Sequence, residues 1–244
     1  AFTLKSTLEL VAYGLGGERA PLLKQNTAKH LEADQYHKML GESDTVVIDV
    51  RNFYETNIGR IEPPKGGAAF LDPKMRNSRE FPKWLNAPET KEKLKGKKVM
   101  MYCTGGIRCE RASALLSQME RAADDVQTQG IYHVRGGIDR YLKTFPGGGY
   151  WKGRNYLFDL RGEQKAEDKD ERVVEKETGS VCCVCKFPFA LYKGKHACSD
   201  KACKVPVIVC DGCRRRADGE LKNTLKGPLC EQNIHLRDLP LPDL

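Results

Sequence analysis

Two apolar periods alternate along much of this chain. Three short runs, residues 45–50, 99–102 and 131–134, are rich in β-branched or aromatic residues and predict strands. Helical spacing appears over residues 32–40, 110–121 and 138–144. In the second of these Ala112, Leu115, Leu116 and Met119 fall at i, i+3, i+4 and i+7. Strands alternating with helices predict an α/β fold, a parallel sheet with helices on both faces. Ligands of such sheets bind beyond the carboxyl ends of the strands. The loop after the strand at 99–102 is therefore the first place to look for chemistry.

That loop reads Cys103-Thr104-Gly105-Gly106-Ile107-Arg108. A cysteine at a strand end, on a glycine-containing loop that opens a helix, lies among backbone amides and at the positive end of the helix dipole. Both favour an anion, so Cys103 is expected to be a nucleophile of lowered pKa without an adjacent histidine. A buried structural cysteine is the alternative, but two glycines and an arginine would be poor choices for a simple core turn. The amides from Thr104 through Gly105, Gly106 and Ile107 to Arg108 are expected to stabilise an anionic sulfur or oxyanion, with Arg108 adding charge. Asp49 and Arg51 are expected to brace the loop from the neighbouring strand. Cys109, one step into the helix, is expected to be structural.

Cys103 to Glu110, followed by Arg111-Ala112-Ser113, resembles the active-site segment of a rhodanese-like domain, and more narrowly that of the tRNA wobble-uridine hydroxylase family. Two flanks agree: Val46-Val47-Ile48-Asp49-Val50-Arg51-Asn52 with Tyr54-Glu55, and Tyr132-His133-Val134-Arg135-Gly136-Gly137-Ile138 with Tyr141-Leu142. The resemblance implies a rhodanese-like fold and an enzyme in which Cys103 carries a transferred sulfur as persulfide, or acts as the essential thiol, during tRNA modification. In the family the product is 5-hydroxyuridine at the wobble position, with molecular oxygen implicated. A small sulfur donor and tRNA are the partners it implies. Four residues separate Cys103 from Arg108; phosphatases sharing the rhodanese fold have five, and the smaller cradle suits a sulfur substituent. A general thiosulfate-type sulfurtransferase is the first alternative. A non-catalytic rhodanese and zinc scaffold that binds RNA or protein is the second. Under this reading residues 1–27 are the end of an N-terminal α/β domain, with its last strand at 3–13, and residues 28–160 are the rhodanese-like domain. Residues 161–179 are a charged linker, and residues 180–244 are a cysteine-rich module and tail.

The charged stretch has seven acidic and five basic residues between positions 161 and 178 and reads as a solvated linker or an exposed helix. Beyond it lie eight of the ten cysteines. They form the pairs Cys182-x-x-Cys185, Cys198-x4-Cys203 and Cys210-x-x-Cys213, then Cys230 with His235 after it. Such spacing lets each knuckle wrap a tetrahedral ion, and one to two zinc ions are expected. Three pairs give six thiolates, so Cys230 and His235 are the candidates to complete a second site. Sequential and crossed groupings both fit the spacing. Cys183 stands too close to Cys185 to act in the knuckle. The knuckles are short, so metal is expected to supply most of this unit's folding energy.

The formal net charge is +8, and residues 180–216 hold eight basic and two acidic side chains. Seven zinc thiolates and two Zn²⁺ would change the count by −7 + 4 = −3, leaving the chain basic. Arg214-Arg215-Arg216 directly follows a knuckle, which suggests a phosphate-rich partner such as RNA. No apolar run approaches the ~20 residues of a membrane span, and no secretory signal pattern is visible. With a nucleophilic cysteine and metal-type cysteine spacing, an intracellular reducing compartment is expected, either cytoplasm or an organelle matrix.

Overall fold

The computed structural model describes residues 9, 11–16, 19–25, 28–122, 126–157, 163–194, 196–216 and 224–242. Its centre is a five-stranded, wholly parallel sheet in the order β1-β6-β5-β2-β4. The strands are β1 (Lys29–Leu31), β2 (Thr45–Asp49), β4 (Ala69–Leu71), β5 (Lys98–Tyr102) and β6 (Gly130–Val134). Every residue of β2 is buried, as expected of a strand covered on both faces. Alternate side chains divide between two cores. Val46, Ile48, Val99 and Met101 pack with α3 (Phe81–Asn86), α4 (Pro88–Leu94) and α5 (Ile107–Ala122). Val47, Met100, Tyr102 and Val134 pack with α1 (Ala33–Met39) and α6 (Gly137–Thr144). The predicted parallel sheet with helices on both faces is thus the observed fold.

The three predicted strands and three predicted helices all form. The edge strands β1 and β4 escaped the sequence pattern because three residues are too few to display a period. Helix α2 (Phe53–Ile58) is also short, and its capping box is Asn52 with Glu55. The expected strand at 3–13 falls largely outside the described residues, and residues 9 and 11–13 are not in a strand. Val11, Tyr13 and Leu15 instead join the apolar cluster on the α5 side.

Beyond the sheet, β3 (Gly59–Ile61) pairs antiparallel with β7 (Trp151–Gly153), and β8 (Asn155–Tyr156) pairs with β9 (Glu163–Gln164). The charged stretch contains α7 (Glu171–Glu177), and it is not wholly solvated. Val174 is buried, Glu177 accepts the Gly153 N–H at 2.8 Å, and Glu171 pairs with Arg154. Glu171 and Glu177 are thus used as anchors to β7 and the residue after it.

The cysteine-rich region carries an apolar cluster of its own. Phe189, Val205, Val207, Ile208, Val209 and Leu225 form a third apolar cluster around Cys182, Cys198 and Cys210, joined by Ile58 of α2. The antiparallel bridges Val181↔Pro188 and Ala197↔Pro206 fold each knuckle back on itself. Helices α8 (Asp211–Arg216) and α9 (Pro228–Glu231) complete this region.

Candidate functional site

Cys103 follows the last residue of β5, and α5 starts four residues later at Ile107. The Gly106 N–H points at the Cys103 Sγ, 3.1 Å away. Gly106 has φ of 97°, a conformation open to glycine, which turns its amide inward. Gly137 also has positive φ (65°), and a Cβ there would meet the Cys103 and Thr104 carbonyls at 2.5 and 2.6 Å. The loop is thus pressed against the start of α6, whose Ile138 and Asp139 N–H groups bond the same two carbonyls.

The Cys103 thiol has its pKa lowered to about 6. The leading cause is a hydrogen bond from the Cys109 thiol. Burial opposes it, and the Arg108 charge and the Cys109 and Gly106 amides then add to the lowering. Cys109 is correspondingly pushed well above its ordinary value, first by burial and then by its bond to Cys103. Its position is therefore more than structural: it stays protonated and donates. Cys103 itself is 1% exposed and shares an apolar cluster with Val11 and Tyr13.

Arg108 is fixed by Glu55, which the sequence reading did not assign a role. The guanidinium grips both carboxylate oxygens, at 2.6 and 2.8 Å, and also reaches the Thr104 hydroxyl at 3.1 Å. Glu55 is fully buried and also accepts the Asn52 N–H at 3.2 Å. The Asn-x-x-Glu capping box was the available sequence signal. A bidentate pair holds Arg108 in place, which preserves its field at Cys103 while limiting its freedom.

Asp49 and Arg51 lie beneath this layer, both fully buried. Arg51 bonds Asp49 through Nε at 2.8 Å and Nη2 at 2.6 Å, and donates to the Gly59 carbonyl at 2.6 Å. The Tyr102 hydroxyl donates to Asp49 Oδ2 at 2.9 Å. These two residues reach the nucleophile through Tyr102, its chain neighbour. Beside Arg108 a cavity of about 470 Å³ opens between Asn52, Asn77, Ser78 and Arg79, with Val11 and Ala12 on its wall.

The cysteines gather in two groups, and the grouping is crossed. Cys182, Cys185, Cys210 and Cys213 place their sulfurs within 4.8 Å of one another. So do Cys198, Cys203 and Cys230. First and third pairs thus share one group, while the second pair joins Cys230. Two segments, Cys185-Lys186-Phe187-Pro188 and Cys203-Lys204-Val205-Pro206, repeat one pattern, and both lysines take positive φ (60° and 52°). That repeat was a legible sign of two equivalent knuckles. Four thiolates or three could hold a metal ion. His235 is not part of the second group. Asn233, with φ of 57°, ends α9 in a left-handed turn, and His235 Nε2 lies 3.3 Å from the Asn233 side chain. Arg76 approaches that group from outside the region, its Nη2 lying 3.9 Å from Cys230 Sγ. Cys183 stays outside both groups.

Of the basic triplet, Arg214 is bound to Asp211 at 2.6 Å, and Arg215 is exposed. Arg216 is the last residue of α8. Among the described residues no helix is long and apolar enough to cross a membrane.

Comparison with known families gives two adjoining matches, a rhodanese-like domain over residues 32–144 and a rhodanase C-terminal region over residues 152–231. Residues 32–144 are thus a rhodanese-like domain. Among similar proteins, the Arabidopsis thaliana rhodanese-like domain-containing protein 6 is 35% identical over 225 residues, which are 89% of this chain and 36% of that protein. A tRNA uridine(34) hydroxylase of Brucella anthropi is 36% identical over 186 residues, 75% of this chain and 52% of its own. Its counterpart in Enterococcus faecalis is 38% identical over 177 residues, 71% and 51% of the two chains. This chain therefore spans about half the length of those hydroxylases.

Proposed function

We propose that this chain is a Cys103-dependent enzyme of tRNA modification, acting on the wobble uridine to give 5-hydroxyuridine with molecular oxygen as the oxidant, and with a Cys103 that can carry sulfur as a persulfide. The observation that carries this reading is the Cys103 thiol, lowered to about 6 at the end of β5 by Cys109, Arg108 and loop amides. The names borne by its relatives direct that thiol toward tRNA uridine.

In the sulfur-loading step the Cys103 thiolate attacks the outer sulfur of a donor such as thiosulfate. A new S–S bond forms as the donor's S–S bond breaks, and the electron pair leaves with sulfite. The terminal persulfide sulfur is then an anion, and the Gly106 and Cys109 amides with Arg108 favour it. The cavity beside Arg108 offers an approach for a larger acceptor.

In this reading Cys182, Cys185, Cys210 and Cys213 would hold one zinc ion, and Cys198, Cys203 and Cys230 a second. Zinc supplies a crosslink there, tying segments that are distant in sequence. Arg76 would offset the negative charge of the three-thiolate group. Arg215, which is exposed, supplies basic charge toward RNA, while Arg214 is already occupied by Asp211. Ten cysteines without a disulfide among them fit a reducing compartment.

The decisive experiment is nucleoside analysis of tRNA from cells lacking the gene. Wobble 5-hydroxyuridine and its derivatives should disappear, return with the parent gene and stay absent with Cys103→Ser. Unchanged tRNA would reject the reading. Mass spectrometry after thiosulfate treatment reports the persulfide separately, as one added sulfur on Cys103.

A further inference from the structure

A second cluster of chemically active side chains adjoins the nucleophile loop and takes no part in the roles above. Parallel pairing of β1 with β6 makes His30 the register partner of His133, so the two imidazoles stand side by side with centroids 4.1 Å apart. The first turn of α5 brings Glu110 to them. Its Oε1 lies 2.7 Å from His30 Nε2, and its Oε2 lies 3.7 Å from His133 Nε2. One donor atom from each residue lies within 4.8 Å of the other two.

We propose that His30, Glu110 and His133 form a binding site for a first-row divalent transition-metal ion, separate from the cysteine groups and independent of the role assigned to Cys103. The donor set selects the ion class. Two imidazole nitrogens and one carboxylate suit iron(II), cobalt(II), nickel(II) or zinc(II), whereas calcium and magnesium demand oxygen ligands. His133 supplies an independent sign. It is 1% exposed, and neither of its ring nitrogens has a hydrogen-bond partner. Buried polar groups are normally paired, and a metal on Nε2 gives one of these nitrogens the partner it lacks. The His30–Glu110 contact is the ion-free form of the same geometry, with a proton where the metal would sit.

Three protein ligands leave coordination positions open to further ligands. Space for further ligands exists. A cavity of about 210 Å³ is lined by the three residues together with Gly105, Gly106, Ile107, Arg135 and Gly136. The charge of Arg135 in that wall is engaged by Glu32, 2.9 Å away. The site therefore shares its cavity with the backbone of the loop that carries Cys103. A shared proton at His30 and Glu110 with no metal affinity is the competing account.

The test uses the full chain, its cysteine groups first saturated with zinc, titrated with cobalt(II). One further cobalt per chain should bind and give weak visible ligand-field absorption without the intense sulfur-to-metal charge-transfer bands of cobalt thiolates. His30→Gln and Glu110→Gln should each weaken that binding at least about tenfold. Both side chains are partly exposed (33% and 37%), so the variants should melt as the parent does, which is measured alongside. The proposal is overturned if no further cobalt binds, if the added cobalt shows thiolate bands, or if either variant binds it as tightly as the parent.

Discussion

At the residue scale the thiol pair decides the chemistry. Cys103 and Cys109 are chemically identical side chains, six positions apart, with opposite shifts. Burial alone would raise both. Cys103 escapes because the Cys109 thiol, the Arg108 charge and two amides all favour its anion, while Cys109 faces that anion and keeps its proton. The sign of the pH dependence follows. A thiolate with a pKa of about 6 is protonated in acid and ionised above it. The alkylation rate of Cys103 should rise with pH, reach half its maximum near pH 6 and be flat by pH 8. Cys109→Ala removes the leading donor. Hydrogen bonds to charged groups contribute about 1.5–3 kcal/mol, so the midpoint should move upward by about one unit or more. Iodoacetamide kinetics with mass-resolved labelling measure both profiles. An unmoved midpoint in Cys109→Ala would assign the low pKa to Arg108 and the amides alone.

At the element scale the chain uses short pieces for fixed tasks. Helix α2 is a turn and a half long, yet its capping box fixes Glu55, and Glu55 fixes Arg108 on α5. The two Cys-Lys-x-Pro segments are equally short. Each reverses the chain at a lysine of positive φ, an arrangement that costs a non-glycine residue energy and needs support from its surroundings. The sulfurs are placed where a metal ion could supply that support. Elemental analysis should therefore find one to two zinc ions per chain. A strong chelator should abolish hydrogen-exchange protection across residues 182–230. The small apolar cluster of Val205, Val207, Ile208 and Val209 will not preserve it alone, because a unit this size depends on its crosslinks. The β2, β5 and β6 amides should stay protected. A chelated chain with undiminished protection after residue 180 would leave the sulfur groups without a metal role.

At the scale of the whole molecule the two parts are not beads on a string. Ile58 enters the apolar cluster of the cysteine-rich region, Ser180 donates to the Asn57 carbonyl, and Arg76 reaches Cys230. Such links let the C-terminal region hold a partner at a set place relative to Cys103. If that partner is RNA, basic side chains should matter for binding and not for thiol chemistry. Arg214, Arg215 and Arg216 replaced together by Ala should weaken tRNA binding. They should also flatten its salt dependence, by roughly one unit of slope for each phosphate no longer neutralised. Arg215 should account for more of the loss than Arg214, which Asp211 already engages. Sulfur loading of Cys103 from thiosulfate should be unchanged, since the charges are screened beyond ~8–10 Å. Equal tRNA affinity in variant and parent at two salt concentrations would give this region a structural or protein-docking role.

What the sequence determined by itself is what chain neighbours determine. Cys103 to Arg108 is one continuous segment between a strand and a helix, so the amides around the Cys103 sulfur follow from adjacent residues. The knuckle pairs are legible for the same reason, as are the six elements whose residues show a period. Tertiary structure decided everything that depends on which distant segments meet. It set Glu55 against Arg108 and turned the Cys109 thiol toward Cys103. It crossed the cysteine pairs rather than grouping them in order, and it left His235 beside Asn233. It also brought His30 beside His133, because parallel strands align residues a hundred positions apart through backbone register, and no local pattern records that register.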